Sequence, residues 1–347
     1  NNYFHGNGKM TFNNGEIYEG EWENGEMDGS GNFTYLNGDK YQGEYKNSQK
    51  DGIGSFYYFN KDYYKGEWSN NLKDGKGIFV FINGDRYEGE YRNGKMSGNG
   101  SYVFKNGERY SGQWKSGKFD GEGTFIYSSG NKYKGGWKND RKFGEGQYTY
   151  KNGEIYSGQW VDDYRTGKGM YTYSNGDVYY GYFYKGKLTG QGKYTFANKN
   201  EYNGGWKENM KSGNGVLTYI NGDKYNGEWK NNMMHGQGVF EHNKGDIYNG
   251  TWKNSKKSGY GVYTYSNGDV YEGMFIEDTL EGYGTLRYSN GNKYIGNWIN
   301  NKRSGQGNMT YANGDVYTGQ WKVGKINGHG IIKYSSGDIY NGNWLDE

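Results

Sequence analysis

The stretch YEGEWENGEMDGSGNFTYLNGDK, residues 18–40, is followed at once by Tyr41-Gln42-Gly43-Glu44-Tyr45, which begins the same phrase again. Working outward in both directions, a glycine recurs at 6, 29, 52, 75, 98, 121, 144, 167, 190, 213, 236, 259, 282, 305 and 328, always 23 residues apart. A tyrosine follows twelve residues after each of them, from Tyr18 to Tyr340, and a second glycine two residues later, from Gly20 to Gly342. Two further on stands an aromatic residue, and all eleven tryptophans of the chain occupy this one position. Self-similarity at a fixed period is the mark of a repeat architecture, in which each unit is stabilised by its neighbours.

Within a unit the alternation has period 2. Gly6 to Phe12 reads as one strand and Ile17 to Trp22 as the next, with Asn13-Asn14-Gly15 between them. A two-residue Asn-Gly turn would put Tyr18 and Trp22 on the opposite face from Met10 and Phe12. A three-residue loop instead pairs Phe12 with Glu16, Met10 with Tyr18, Gly8 with Gly20 and Gly6 with Trp22, which gathers the rings on one face. Such a loop is a type I turn followed by a left-handed residue, with glycine at that bulge position. Lys61 and Lys199 replace this glycine in two units, at an expected cost of about 1 kcal/mol each. The connection to the next unit must be even-numbered to keep Trp22, Gly29, Gly31 and Phe33 on one face. Its Gly25 position always holds Gly, Asn, Asp or Ser, which suit unusual backbone angles.

The expected fold is therefore all-β: an elongated, twisted, single-layer antiparallel meander of fifteen 23-residue hairpins, running through residues 1–347 as one domain. Gly8 facing Gly20 leaves a lane without side chains. Rings from Tyr18, Trp22 and Phe12 are expected to lean over it and stack on their copies one repeat away, while Asn7, Lys9, Thr11, Glu19 and Glu21 face water.

Composition agrees with a thin sheet. Of 347 residues, 65 are glycine and 41 tyrosine, proline and cysteine are absent, and 32% are apolar or aromatic. That is too little for a large globular core unless aromatic rings supply most of it. The absence of cysteine excludes disulfides and thiolate sites and points to an intracellular setting. No apolar run reaches membrane-spanning length. The chain opens in mid-repeat, so a targeting segment is not readable from it. Asn32, Asn99 and Asn308 match the glycosylation pattern by chance in an Asn-rich sequence.

The pattern Y-x-G-x-W-x-x-G-x-x-x-G-x-G, carried in full from Tyr110 to Gly123, resembles the MORN (membrane occupation and recognition nexus) repeat. The histidine that the family prefers before the first glycine of its Gly-x-Gly pair occurs as His5 and His235. Asp28, Asp51, Asp74 and Asp120 replace it elsewhere, and Asn209 and Asp278 replace the glycine at the Gly117 position. A chain built only of repeats is similar to the scaffold members of the family in apicomplexan and kinetoplastid parasites. This resemblance implies a non-enzymatic scaffold of the cortical or membrane-associated cytoskeleton, in the cytoplasm, acting in cell division at basal or collar-like structures. It also implies cytoskeletal protein partners, homodimers joined near their C-terminal ends, and phosphoinositide binding. A peripheral phosphoinositide or membrane-binding module is the alternative function, and a regulatory subunit of an enzyme a third.

No catalytic constellation is legible. His5, His235, His242 and His329 are scattered over repeat positions, and no phosphate-binding loop or helix is present, so no cofactor or metal is expected. With 42 basic against 39 acidic residues the chain lacks the field that draws nucleic acid. Charge is nonetheless ordered. Acidic residues such as Glu16, Asp39, Asp85, Glu108, Asp177 and Asp315 follow the hairpin loops. The opposite connections carry Lys50, Lys73, Lys95, Lys118, Arg141, Lys142, Arg165, Lys187, Lys211, Lys256, Lys257, Lys302, Arg303 and Lys325, with Met96, Phe119, Leu188, Met234, Leu280 and Ile326 among them. Ordinary solvated turns account for these fourteen cations; read functionally, they form one edge for anionic lipid or for an acidic partner. The last strand leaves an unpaired edge, which invites an antiparallel homodimer through residues 305–347, with Tyr317, Trp321, Tyr340 and Trp344 at the seam unless Asp346 and Glu347 cap it.

Overall fold

The computed structural model describes residues 3–345. Every regular element among them is a β-strand, thirty in all, from β1 (Gly6–Thr11) to β30 (Ile339–Trp344). The chain divides into two compact units, Asn1–Ser174 and Asn175–Glu347. The first contains β1 to β15 (Tyr164–Thr172), the second β16 (Val178–Tyr184) to β30. Within the first unit consecutive strands pair antiparallel as a meander. The second unit repeats this pattern. Asp346 and Glu347, the expected edge cap, lie outside the described residues.

The hairpin register is the one that side-chain parity requires. Between β1 and β2 (Ile17–Glu23), Gly6 faces Trp22, Gly8 faces Gly20 and Met10 faces Tyr18. Phe12 N donates to Glu16 O at 2.9 Å, and Gly15 N to Phe12 O at 2.9 Å, which closes the three-residue loop. Gly15 is left-handed at φ 87°, as are Lys61 at 70° and Lys199 at 71°, so both lysines stand where an L side chain is strained.

The link from β2 to β3 (Glu26–Thr34) is a two-residue turn, with Asn24 at φ 50° and Gly25 at 88°. Two successive left-handed residues are what a tight hairpin with the native strand twist demands. A bulge then intervenes: Trp22 pairs with Met27, yet Gly20 pairs with Gly31, so Glu21 alone spans Asp28, Gly29 and Ser30. Gly29, left-handed at 98°, makes it possible. The period-2 reading did not contain this bulge, because two extra residues leave the facing of every later side chain unchanged.

The glycine lane is filled by one ring. Tyr18 is completely buried, and its hydroxyl donates to Glu21 O at 2.8 Å. A Cβ added at Gly31 would stand 2.4 Å from that ring, and one at Gly20 would stand 2.5 Å from Gly31 Cα. The same hydroxyl contact recurs at Tyr64, Tyr110, Tyr202 and Tyr294. The tryptophans complete the ladder: Trp229 Nε1 donates to Gly215 O and Trp252 Nε1 to Gly238 O, both at 3.0 Å, each binding a lane glycine on the first strand of its own hairpin. Rather than stacking on their copies, these rings meet edge to face. Tyr18 lies 5.1 Å from Trp22 at 90° and 5.3 Å from Tyr45 at 84°. The quadrupole of each ring favours that crossing, worth about 0.5–1.5 kcal/mol per pair.

Candidate functional site

The acidic edge is built from the hairpin loops. Asn14 Oδ1 accepts from Glu16 N at 3.1 Å, an Asx turn that preorganises the loop and recurs at Asn37, Asn60 and Asn83. The acid also reaches the next repeat. Asp39 accepts from Phe59 N at 2.7 Å, Asp85 from Lys105 N at 2.8 Å, Asp177 from Ala197 N at 2.7 Å and Asp315 from Ser335 N at 2.8 Å. Bonds of this kind hold three further carboxyls below the usual range: Asp223 through Asn243 N first, Asp246 through Ser266 N first and Asp269 through Ser289 N first. The row is thus a set of staples between neighbouring hairpins.

The opposite edge has its own staples, at the second residue of the tight turn. Asn71 accepts from Lys50 N at 2.9 Å, Asp140 from Phe119 N at 2.8 Å, Asn232 from Lys211 N at 2.8 Å and Asn301 from Leu280 N at 2.7 Å. Sequence reasoning found the left-handed backbone there but missed this second role. The signal was available, since the non-glycine residues at that position can all accept a hydrogen bond.

The fourteen cations of this edge do not form one surface. Seven stand at the first residue of a strand and project into solvent: Lys95, Lys118, Arg141, Lys187, Lys256, Lys302 and Lys325. The other seven, Lys50, Lys73, Lys142, Arg165, Lys211, Lys257 and Arg303, stand one residue later, on the aromatic face, and are half-buried. Parity separates the two sets, because adjacent strand residues face opposite sides. Met27, Met96, Phe119, Leu188, Met234, Leu280 and Ile326 fill the same inward slot in the remaining repeats.

An inward cation lies over rings. Lys73 Nζ is 4.4 Å from the Phe79 centroid, 5.0 Å from Tyr64, 5.5 Å from Tyr58 and 5.8 Å from Tyr91. The Arg303 guanidinium is 4.3 Å from the Trp321 ring. Burial pushes the Lys73 amine down to about 8, with nearby Asp62 opposing the shift. Burial likewise lowers Lys50, Lys211 and Lys257. Outward cations have other company: Arg141 lies 3.6 Å from Asp162, Lys256 lies 3.0 Å from Glu277, and Lys187 pairs with Glu208.

The residues expected at the C-terminal seam also divide. Tyr317 and Trp321 are interior, and Tyr317 is crossed by the Trp344 ring at 5.6 Å. Tyr340 is exposed on β30, with Ile339 and Leu345 exposed beside it.

No group of three or more His, Asp or Glu side chains that could hold a metal exists among the described residues. A groove of about 800 Å³ crosses the polar face of the first five strands, lined by Lys9, Glu19, Glu21 and Glu44 among others. Lys9 and Glu19 there form an exposed ion pair at 3.5 Å, which leaves no poised acid and base. No helix among the described residues is long and apolar enough to cross a membrane.

No curated protein matches this chain. Among solved structures it is similar to the TCP domain of SAS-4 (dCPAP) of Drosophila melanogaster, in complex with a proline-rich motif of Ana2 (dSTIL). That match has 14% identity over 51% of this chain and 85% of the other, with a TM-score of 0.27. It is also similar to the TCP10 domain of Danio rerio CPAP, at 12% identity over 78% of this chain and 98% of the other, TM-score 0.20. Likenesses this weak carry no argument. The MORN repeat family matches fifteen times in register, over residues 1–17, 18–40, 41–63, 64–86, 87–109, 110–132, 133–155, 156–178, 179–201, 202–224, 225–247, 248–270, 271–293, 294–316 and 317–339. The matches tile nearly the whole chain, all but the first begin on a lane tyrosine, and the chain belongs to the MORN-repeat family.

Proposed function

We propose that the chain is a non-enzymatic structural scaffold of the cortical, membrane-associated cytoskeleton, of the kind that all-repeat members supply during cell division in apicomplexan and kinetoplastid parasites. The observation that carries this reading is where the polar chemistry goes. Carboxylates of the acidic edge, amides of the tight turns and hydroxyls of the lane tyrosines bind the backbone of their own or a neighbouring repeat. They build a regular surface rather than a reaction centre. Self-association through the exposed β30 edge, with Tyr340 at the seam, belongs to the same proposal, because an uncovered strand edge is a template for pairing.

A tagged copy in its own cell tests the reading. A scaffold should stay in the pellet after non-ionic detergent has removed the membranes. Release by detergent alone would favour a peripheral lipid-binding module, and co-purification in fixed ratio with a soluble enzyme would favour a regulatory subunit. For the seam, light scattering should give twice the chain mass for the full chain and the chain mass for a version ending at Asn300. One-chain mass for both would remove the seam.

A further inference from the structure

Three consecutive tight turns in the unit Asn1–Ser174 carry like charges in an unbroken run. The residues that flank each turn are paired directly across it. They are Arg92 with Lys95, Lys115 with Lys118, and Lys138 with Arg141. Six cations thus end six consecutive strands, β8 (Arg86–Arg92) to β13 (Arg141–Thr149), and all six are exposed. Like charges directly opposite one another destabilise a sheet. Elsewhere like cations face each other at isolated turns, Lys253 with Lys256 and Lys322 with Lys325, separated by turns with other pairs such as Ser69 with Leu72, Val161 with Tyr164 and Ile299 with Lys302. Among the described residues, Arg141 alone of the six has a carboxylate within 4 Å.

The local surroundings deepen this. The bulge position that holds Asp28, Asp51 and Asp74 in earlier repeats holds Ser97, Asp120 and Phe143 here. Lys115, Lys118 and Lys138 line a groove of about 540 Å³, together with Asp120, Trp137 and Phe143. Lys138 Nζ sits 4.9 Å over the exposed Phe143 ring.

We infer that this row is a docking surface for an acidic polypeptide segment in extended conformation. Strand spacing makes the row about 24 Å long, with a cation pair about every 9.6 Å. A peptide extended as polyproline II, with an acidic residue at every third position, presents its charges on one side about every 9.3 Å, so the pitches match. A broad polyanion does not fit. The same outer face carries Glu88, Glu122 and Glu145, all exposed, in the middle of these strands. A bilayer or nucleic-acid duplex covering the cations would meet those carboxylates, whereas a single chain lying along the turns avoids them. The inference rests on the scaffold reading only for the need of a protein partner.

The test uses the full chain and a fluorescent, extended peptide about twelve residues long, with Glu at every third position among Gly and Ser. Fluorescence anisotropy at low salt should show saturable binding. Charge reversal by Lys115→Glu, Lys118→Glu and Lys138→Glu should weaken it about tenfold or more. Reversal of Lys256, Lys302 and Lys322, outside this row, should change it less than about twofold, with circular dichroism confirming that both variants fold. Equal loss in the two variants, or no binding to the unaltered chain, would overturn the inference. So would vesicles of anionic lipid that bind the chain more tightly than the peptide and lose binding in the first variant alone. Detergent-resistant localisation is a separate readout, so the scaffold reading can survive or fail independently.

Discussion

The two units fill the inward slot differently. In Asn175–Glu347 it alternates strictly: Leu188, Lys211, Met234, Lys257, Leu280, Arg303, Ile326. In Asn1–Ser174 it runs Met27, Lys50, Lys73, Met96, Phe119, Lys142, Arg165, so cations stand in adjacent repeats. The ladder beneath is the same in both. Tyr64 and Tyr248 are each fully buried, and each is crossed edge to face by the aromatic residues of its own and the next repeat. What the ladder requires of this slot is therefore length. A lysine stem covers rings as a methionine does, with its ammonium on their faces. The depressed lysines record a cost of burial rather than of mutual repulsion, since burial is the leading cause at Lys50 and Lys73 alike.

The largest expected effect tests whether the ladder is indifferent to the slot. Gly66→Ala would place a Cβ 2.5 Å from Gly77 Cα, and Gly250→Ala one 2.6 Å from Gly261 Cα. Backbone clashes of this kind cost about 4 kcal/mol or more. Hydrogen-exchange mass spectrometry should show comparable local loss of protection in both units. A large effect in one unit only would mean that the slots, not the lane, hold the repeats.

A smaller effect separates the slots themselves. Lys73→Met should stabilise its repeat by about 1 kcal/mol at neutral pH, the usual sign when a buried charge is replaced by a well-packed apolar group. The folded amine titrates near 8, below the unfolded value of about 10.4, so between them the unfolded state binds more protons. Unaltered stability should thus rise across that window, and the advantage of Lys73→Met should shrink there. Lys257→Met should gain less. Equal gains, or a pH-independent difference, would show that burial does not distinguish the two sites.

Tyr45 provides a change confined to the first unit. It occupies a tryptophan position, and its buried hydroxyl has no hydrogen-bond partner. Tyr45→Phe should stabilise by about 1 kcal/mol, read as local exchange protection, because an unsatisfied buried hydroxyl is removed. A loss of stability would reveal a partner for that hydroxyl. The smallest effect is the most symmetrical. Lys61→Gly and Lys199→Gly relieve left-handed strain in one unit each and should each stabilise by about 0.5–1 kcal/mol, offset in part by glycine's entropy.

Much of this was legible because parity is rigid. Once Gly8 faced Gly20, the loop length, the left-handed lysines and the shared face of Tyr18 and Trp22 followed. The bulge at Gly29 was hidden because inserting two residues preserves parity, and the ring crossing was hidden because sequence carries no torsion angles. For the site, residue type suggested one basic edge. Only the offset between Lys256, outward, and Lys257, inward, reveals two rows with different chemistry.

The most direct test of that division is a pH titration of the intact chain with lysines labelled at ¹³Cε, assigned by single substitutions. The account predicts a Lys73 midpoint near 8, with Lys50, Lys211 and Lys257 also below the free-lysine value of about 10.4. A Lys73 midpoint at the free-lysine value would place its amine in water and contradict the inward row.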